Sequence, residues 1–124
     1  MPAKILVIDD SRMVQEQLRK VVQSLNCECI IATSGKEGIE KAAEHRDISI
    51  IIADINMEGM NGIDMCAEIR KMPHHKRTGI IMCTTEGANE MKQRGKELGV
   101  FAWVIKPVKE ETFSALIRRI MYTK

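Results

Sequence analysis

Five side chains could do chemistry together if the fold gathers them: Asp9, Asp10, Asp54, Thr84 and Lys106. Each stands at the end of a short apolar run: Lys4–Ile8, Ile48–Ala53, Gly79–Cys83 or Phe101–Ile105. Carboxylates crowded into one place repel one another unless a cation joins them. Mg2+ suits such a cluster, because it takes one or two carboxylates, keeps several waters and binds phosphate oxygens. An aspartate can also act as a nucleophile and become an aspartyl-phosphate. A metal and a lysine then neutralise charge on the transferring phosphoryl oxygens, and a hydroxyl can hydrogen-bond the group once it has arrived. Any one Asp, Thr or Lys in a loop is usually a cap or a solvated charge. Five converging on one edge point to a shared phosphate-and-metal site.

Convergence requires the apolar runs to be parallel strands of one sheet. After Asp10, Val14, Leu18, Val21, Val22 and Leu25 recur at helical spacing, and Asn26 is the stop. Cys29–Ala32 reads as a second strand, and Ser34-x-x-Glu37 is a capping box opening a helix through Ile39, Ala42 and Ala43. The isoleucines of Ile48–Ala53 suit a strand buried on both faces. An irregular stretch from Asp54 to Gly62 leads into a short helix near Ile63–Arg70. A further helix near Ala88–Leu98 stops at Gly99, and Lys106-Pro107 breaks the fifth strand. The last helix shows a one-sided stripe of Phe113, Leu116, Ile117, Ile120 and Met121. Alternating strands and helices imply right-handed crossovers and a sheet covered on both faces. The expected architecture is α/β: a flavodoxin-like doubly wound sheet of five parallel strands, order 2-1-3-4-5, with five helices. In that order the first and third strands lie ~4.8 Å apart, and ligands bind beyond the carboxyl ends of the strands.

The 124 residues fit one domain spanning 1–124. With 44% apolar and 29% charged residues, disorder is excluded as a description of the chain. The apolar runs are too short to cross a bilayer, and the N-terminus reaches Asp9 too soon for a signal peptide. The expectation is a cytoplasmic protein without a membrane partner. Cys27, Cys29, Cys66 and Cys83 form no CxxC or zinc pattern and read as reduced thiols acting as small hydrophobes. A net charge of +2 implies no nucleic-acid partner. Arg70, Lys71, Lys76 and Arg77, with His74 and His75 around Pro73, read as a solvated loop with both histidines at the surface.

Asp9-Asp10, Asp54-Ile-Asn-Met57 with Gly62 beyond, Thr84 and Lys106-Pro107 together resemble the full signature of response-regulator receiver domains. The resemblance spans essentially the whole chain. It implies Asp54 as phosphoacceptor, Mg2+ held by the side chains of Asp10 and Asp54 and the backbone carbonyl of Asn56, and Asp9 helping through water. It further implies Thr84 as the hydroxyl that senses the phosphoryl group, Lys106 as its ion partner, and a cis Lys106-Pro107 bond. The segments Thr84-Thr-Glu-Gly87 and Gly99–Pro107 look like those of chemotaxis-type single-domain regulators, and Asn56 and Glu86 match the residue types such regulators carry beside the acceptor. Trp103 falls at the aromatic switch position; it also fits an edge-strand core aromatic, and the two roles are compatible. Glu58 stands where the family usually has proline, and Thr85 is larger than the usual alanine or glycine. Both departures bear on rates.

The resemblance implies a sensor histidine kinase as donor and a target protein docking on the face of the fourth helix, fifth strand and fifth helix. Such a domain modifies itself and is not a multi-turnover enzyme. Because the chain ends at Lys124, directly after the fifth helix, output is expected through protein contacts. Two alternatives stand beside signalling to a target: a phosphorelay intermediate, and an electron carrier binding flavin mononucleotide on the same fold. The flavin reading wants a Ser/Thr/Gly-rich loop after the first strand, where this chain has two aspartates, and ring-sandwiching aromatics, here 3%. An aspartate-nucleophile phosphatase would have Asp-x-Asp in place of the adjacent pair.

Overall fold

β-branched runs form β1 (Lys4–Ile8), β2 (Glu28–Ala32), β3 (Ile48–Asp54), β4 (Gly79–Thr84) and β5 (Ala102–Ile105). The computed structural model describes residues 2–85 and 89–122, and of Asn89 and Glu90 the backbone alone. Helices α1 (Arg12–Ser24), α2 (Gly35–Glu44), α3 (Gly62–Arg70), α4 (Asn89–Glu97) and α5 (Glu110–Tyr122) follow the strands in turn. The strands pair in parallel in the order β2-β1-β3-β4-β5, the order expected from the alternation. Among the described residues no helix is long and apolar enough to cross a membrane.

Local chemistry sets the helix ends. Ser11, Ser34 and Asn61 cap α1, α2 and α3, each accepting from a backbone N–H three residues on. The capping box of α2 closes one residue early, with Glu37 accepting from the N–H and hydroxyl of Thr33. Asn26 adopts a φ of 60° where the chain leaves α1, and Gly99 one of 75° after α4, the left-handed geometry these residue types tolerate.

Strand alternation sends successive side chains to opposite faces. Leu6, Ile8, Ile51, Ala53, Ile80 and Met82 face the layer of α2 and α3. Ile5, Val7, Ile50, Ile52, Ile81 and Val104 face that of α1 and α5, with Leu18, Val22, Phe113 and Ile117 opposite them. Truncating a fully buried side chain such as Phe113 to alanine costs about 3–5 kcal/mol.

The segment after α3 departs from the solvated loop expected for it. Pro73–His75 is a single turn of 3-10 helix, and His75 is fully buried although both histidines read as surface. Its Nε2 lies 2.6 Å from the carbonyl of Ala42 at the end of α2, and its Nδ1 2.9 Å from the Thr78 hydroxyl. A carbonyl only accepts, so Nε2 carries the proton and Nδ1 accepts from Thr78. Arg70 is likewise no solvated charge. Its guanidinium donates to the carbonyls of His75, Thr78, Leu98 and Gly99, binding the end of α3 to the start of β4 and the end of α4.

Burial, aided by the charges of His74 and Arg70, lowers the pKa of His75 below its ordinary 6.5. The unfolded chain therefore takes up this proton first. The stability contributed by neutral His75 is fully present above the unfolded value and is lost as pH falls through the lowered folded one. His75→Leu, which removes the shorter of two histidine contacts on the Ala42 carbonyl and the partner of the Thr78 hydroxyl, should cost about 1–3 kcal/mol at neutral pH. It should also flatten the loss of stability on acidification from neutral to mildly acid pH. Urea midpoints of both proteins across that range check this, and equal slopes would refute a neutral buried His75.

Candidate functional site

The sheet order brings the acids together. Ile8 of β1 pairs with Ala53 of β3, so Asp9 and Asp54 emerge side by side as the next residue on each strand. Asp9 is 1% and Asp54 5% exposed, while Asp10 faces solvent. Carboxylate oxygens of the three lie within 4.8 Å of one another. Short-range bonds fix the pair: Asp9 Oδ1 accepts from the Ser11 N–H at 2.8 Å, and Asp54 Oδ1 from the Asn56 N–H at 3.2 Å. A set of hard oxygen donors at this spacing fits Mg2+.

Two further residues shape the site: Gln15, which the sequence did not single out, and Gly62, which stands in the signature that the resemblance rests on. Gln15, buried on α1, donates from Nε2 to the Asp9 carbonyl at 2.7 Å. The sign of it is a polar residue beside Val14 on the buried face of α1. Gly62 opens α3 so close to β3 that a Cβ would stand within 2.2 Å of the Asp54 carbonyl oxygen. Any side chain there would displace the backbone of Asp54.

Lys106 supplies the countercharge. β5 ends beside Thr84, where the Lys106 N–H donates to the Thr84 carbonyl at 2.8 Å. Its Nζ lies 3.0 Å from Asp9 Oδ2 and 3.4 Å from Asp54 Oδ2. Such a pair attracts by roughly 5 kcal/mol at an effective dielectric of about 20, and desolvation offsets much of that. Burial raises the Asp54 pKa, Lys106 opposes the rise, and the charge of Asp9 adds to it. For Lys106 burial alone would lower the pKa; the hydrogen bond to Asp9 and the charges of Asp9 and Asp54 outweigh it and hold the amine above its ordinary value. The ammonium is thus firmly charged.

The other sequence-derived residues sit around this core. Thr84 is 1% exposed, and its hydroxyl accepts from Asn56 Nδ2 at 3.5 Å. Trp103 pairs with Met82, two residues before Thr84 on the neighbouring strand, and is half-buried against the α3 layer near Met91, Leu98 and Val100. The Lys106-Pro107 peptide bond is cis. Glu58 and Thr85 are exposed, and Glu86 lies outside the described residues. The cysteines are free; burial pushes the Cys66 and Cys83 thiols up to about 12, consistent with small buried hydrophobes.

Known proteins show the same pattern. The profile of the response regulator receiver domain matches residues 5–118. The chain is similar to the chemotaxis protein CheY1 of Helicobacter pylori, at 30% identity over 121 residues, 97% of this chain and 98% of that protein. It is 33% identical to the transcriptional regulatory protein ResD of Bacillus subtilis, over 97% of this chain and 50% of ResD. Among solved structures, the chemotaxis protein CheY4 of Vibrio cholerae superposes with a TM-score of 0.90 at 34% identity, covering 97% of this chain and 99% of that one.

Because Lys106 Nζ holds two of the three clustered carboxylates, it competes with any cation for them. Lys106→Ala should lower the thermal midpoint in EDTA, where Asp9 and Asp54 face each other without a countercharge. Added Mg2+ should then raise the midpoint more in the variant than in wild type, as ligand linkage requires when the affinity is higher. Thermal scans with and without Mg2+ decide it; an equal gain in both proteins would show that the lysine and the metal do not compete.

Proposed function

The chain belongs to the response regulator receiver domain family, and on that footing we propose that it accepts a phosphoryl group on Asp54 in a two-component pathway, with Mg2+ as cofactor. The observation that carries the reading is the pair of buried carboxylates, Asp9 and Asp54, sharing the ammonium of Lys106 at the strand ends. Receiver domains work with a histidine kinase and downstream targets. Here an Oδ of Asp54 attacks phosphorus as the P–N bond of the kinase's phosphohistidine breaks, and the imidazole leaves with the electron pair. Asp54 fits the nucleophile: burial raises its pKa, so its carboxylate is poorly solvated and reactive, while the charge of Lys106 favours the ionised form. Asp10 and Asp54 would hold the metal by their side chains and Asn56 by its carbonyl, with Asp9 acting through water. When bound, Mg2+ supplies positive charge to the phosphoryl oxygens.

Lys106 then exchanges a carboxylate partner for a phosphoryl oxygen, and Thr84 turns its hydroxyl to another. Thr84 and Trp103 have the same parity on adjoining strands, so movement at the first is passed toward the second. A phosphoryl dianion held by charge-assisted bonds can supply the few kcal/mol that such a population shift needs. The output surface in this reading is the face of α4, β5 and α5. There a groove of about 580 Å3 is lined by Trp103, Ile105, Pro107, Leu116 and Arg119, and Ile105 is 56% exposed. By likeness to CheY1 and CheY4 the process served is chemotaxis. Four free cysteines suit the reducing cytoplasm, and the domain acts as a self-modifying acceptor, not a multi-turnover enzyme.

Acetyl phosphate with Mg2+ should label Asp54 and no other side chain. The near-isosteric Asp54→Asn should abolish labelling while leaving the fold intact, and EDTA should suppress it in wild type. Intact-mass and peptide mass spectrometry read both; undiminished phosphorylation of Asp54→Asn would sink the assignment.

A further inference from the structure

α4 is fastened to the protein by little apolar surface. Its sequence, Asn89–Glu97, offers one large apolar side chain, Met91, which is half-buried. Gly95 is the one position of α4 classed as buried among those whose burial is described. A glycine inside a helix is destabilising relative to alanine, because more backbone freedom is lost on folding. Its backbone makes no demand for glycine: Gly59 and Gly99 have positive φ, and Gly95 does not. The demand comes from Trp103. A Cβ on Gly95 would stand 2.5 Å from Cζ2 and 3.2 Å from Cε2 of the indole, and 3.3 Å from a methyl of Val100. Those indole atoms belong to a rigid ring on a strand, so the overlap is relieved only by moving the ring or the helix.

We infer that Gly95 is a positioning residue for the output face: its missing side chain is the seat in which the Trp103 indole holds α4 against the sheet. Ring and helix then move as one unit. Among the described residues of α4, Gly95 alone is buried, and Met91 and Lys92 are half-buried. The inference rests on the reading of Trp103 as the group that answers phosphorylation of Asp54, and it adds the element that receives the movement. A polar helix depends on tertiary packing for its stability, so displacement of the indole unseats or reseats α4 directly.

The test compares wild type, Gly95→Ala, Trp103→Ala and the double variant, each with and without Mg2+ and beryllofluoride. Gly95→Ala should lower the thermal midpoint in the wild-type background, because the methyl collides with the ring. In the Trp103→Ala background the same change should raise it, because alanine is the better helix former once the ring has gone. Trp103 is the only tryptophan, so emission reports the ring alone. In Gly95→Ala the resting emission should shift to the red, acrylamide quenching should rise, and the further change on adding beryllofluoride should shrink. Amides of residues 92–97 should exchange roughly tenfold faster or more, as for a locally loosened helix. A midpoint raised in both backgrounds, or emission and exchange left as in wild type, would overturn the seat. A wild-type protein whose emission and exchange ignore beryllofluoride, with the sign inversion still present, would keep the seat and remove the switch reading.

Discussion

Two buried carboxylates on neighbouring strands cannot both stay charged without a cation between them. Asp9 and Asp54 meet that constraint through one ammonium, Lys106 Nζ, at 3.0 and 3.4 Å. The sheet order follows from the same demand. Only with β1 beside β3 do the two acids emerge together, and only with β4 and β5 added on the β3 side does Lys106 approach them from the sheet edge. Removing the ammonium would leave two buried like charges facing each other, which costs more than the pairs stabilise. A site so poised is ready to exchange partners, since a metal and a phosphoryl group bring the charges that would replace those contacts.

The pleat separates charge from motion. Asp9, Asp54 and Lys106 continue the parity of Val7, Ile52 and Val104, the side of α1 and α5. Thr84 and Trp103 continue the parity of Met82, the side of α3 and α4. The two layers differ in methionine content. The α1–α5 side buries Ile, Val, Leu, Phe and Cys and packs Met121 against them, whereas the other, also rich in isoleucine, buries Met57, Met65 and Met82 and packs Met60, Met72 and Met91 against them. Methionine is unbranched and adapts to changed neighbours, while β-branched side chains hold one rotamer. On the proposed function, the methionine-richer layer lies on the side of Thr84 and Trp103, and the other layer on the side of Asp54.

The fold was legible because a doubly wound sheet writes its plan into one dimension: strand, acid or hydroxyl, helix, repeated. The gathering of Asp9, Asp54, Thr84 and Lys106 was legible for the same reason, as each follows an apolar run. What escaped the sequence reading depends on partners far along the chain. His75 sits in a run of basic and polar residues that reads as solvent-facing, and its burial is decided by the Ala42 carbonyl on α2. Arg70 looks like one more loop charge until α4 ends where its guanidinium can donate to the carbonyls of Leu98 and Gly99. Gly95 reads as a weak point in a polar helix, and its cause is an indole eight residues later. Periodicity reports which face is inward; it carries no record of which distant carbonyl or ring will be waiting there.

The attachments of α4 also fix how it can move. At its C-terminal end the Arg70 guanidinium holds the carbonyls of Leu98 and Gly99 at 2.8 and 3.2 Å. These are charge-assisted bonds, the stronger kind, and the same guanidinium is tied to His75 and Thr78 beneath. Toward solvent, Arg94 pairs with Asp64 of α3 at 2.7 Å with both side chains about half exposed, a contact worth about 0–1 kcal/mol. The middle of the helix rests on the indole at Gly95. One end is therefore firmly tied, the outer face weakly, and the centre through a ring that shares its strand with Lys106. A rod tied at one end and released at its centre swings most at the other end, and that end of α4 is the one joined through the connecting segment to Thr84. With its C-terminal end held by Arg70, α4 would change its angle, were the indole to shift, without losing its register on the sheet.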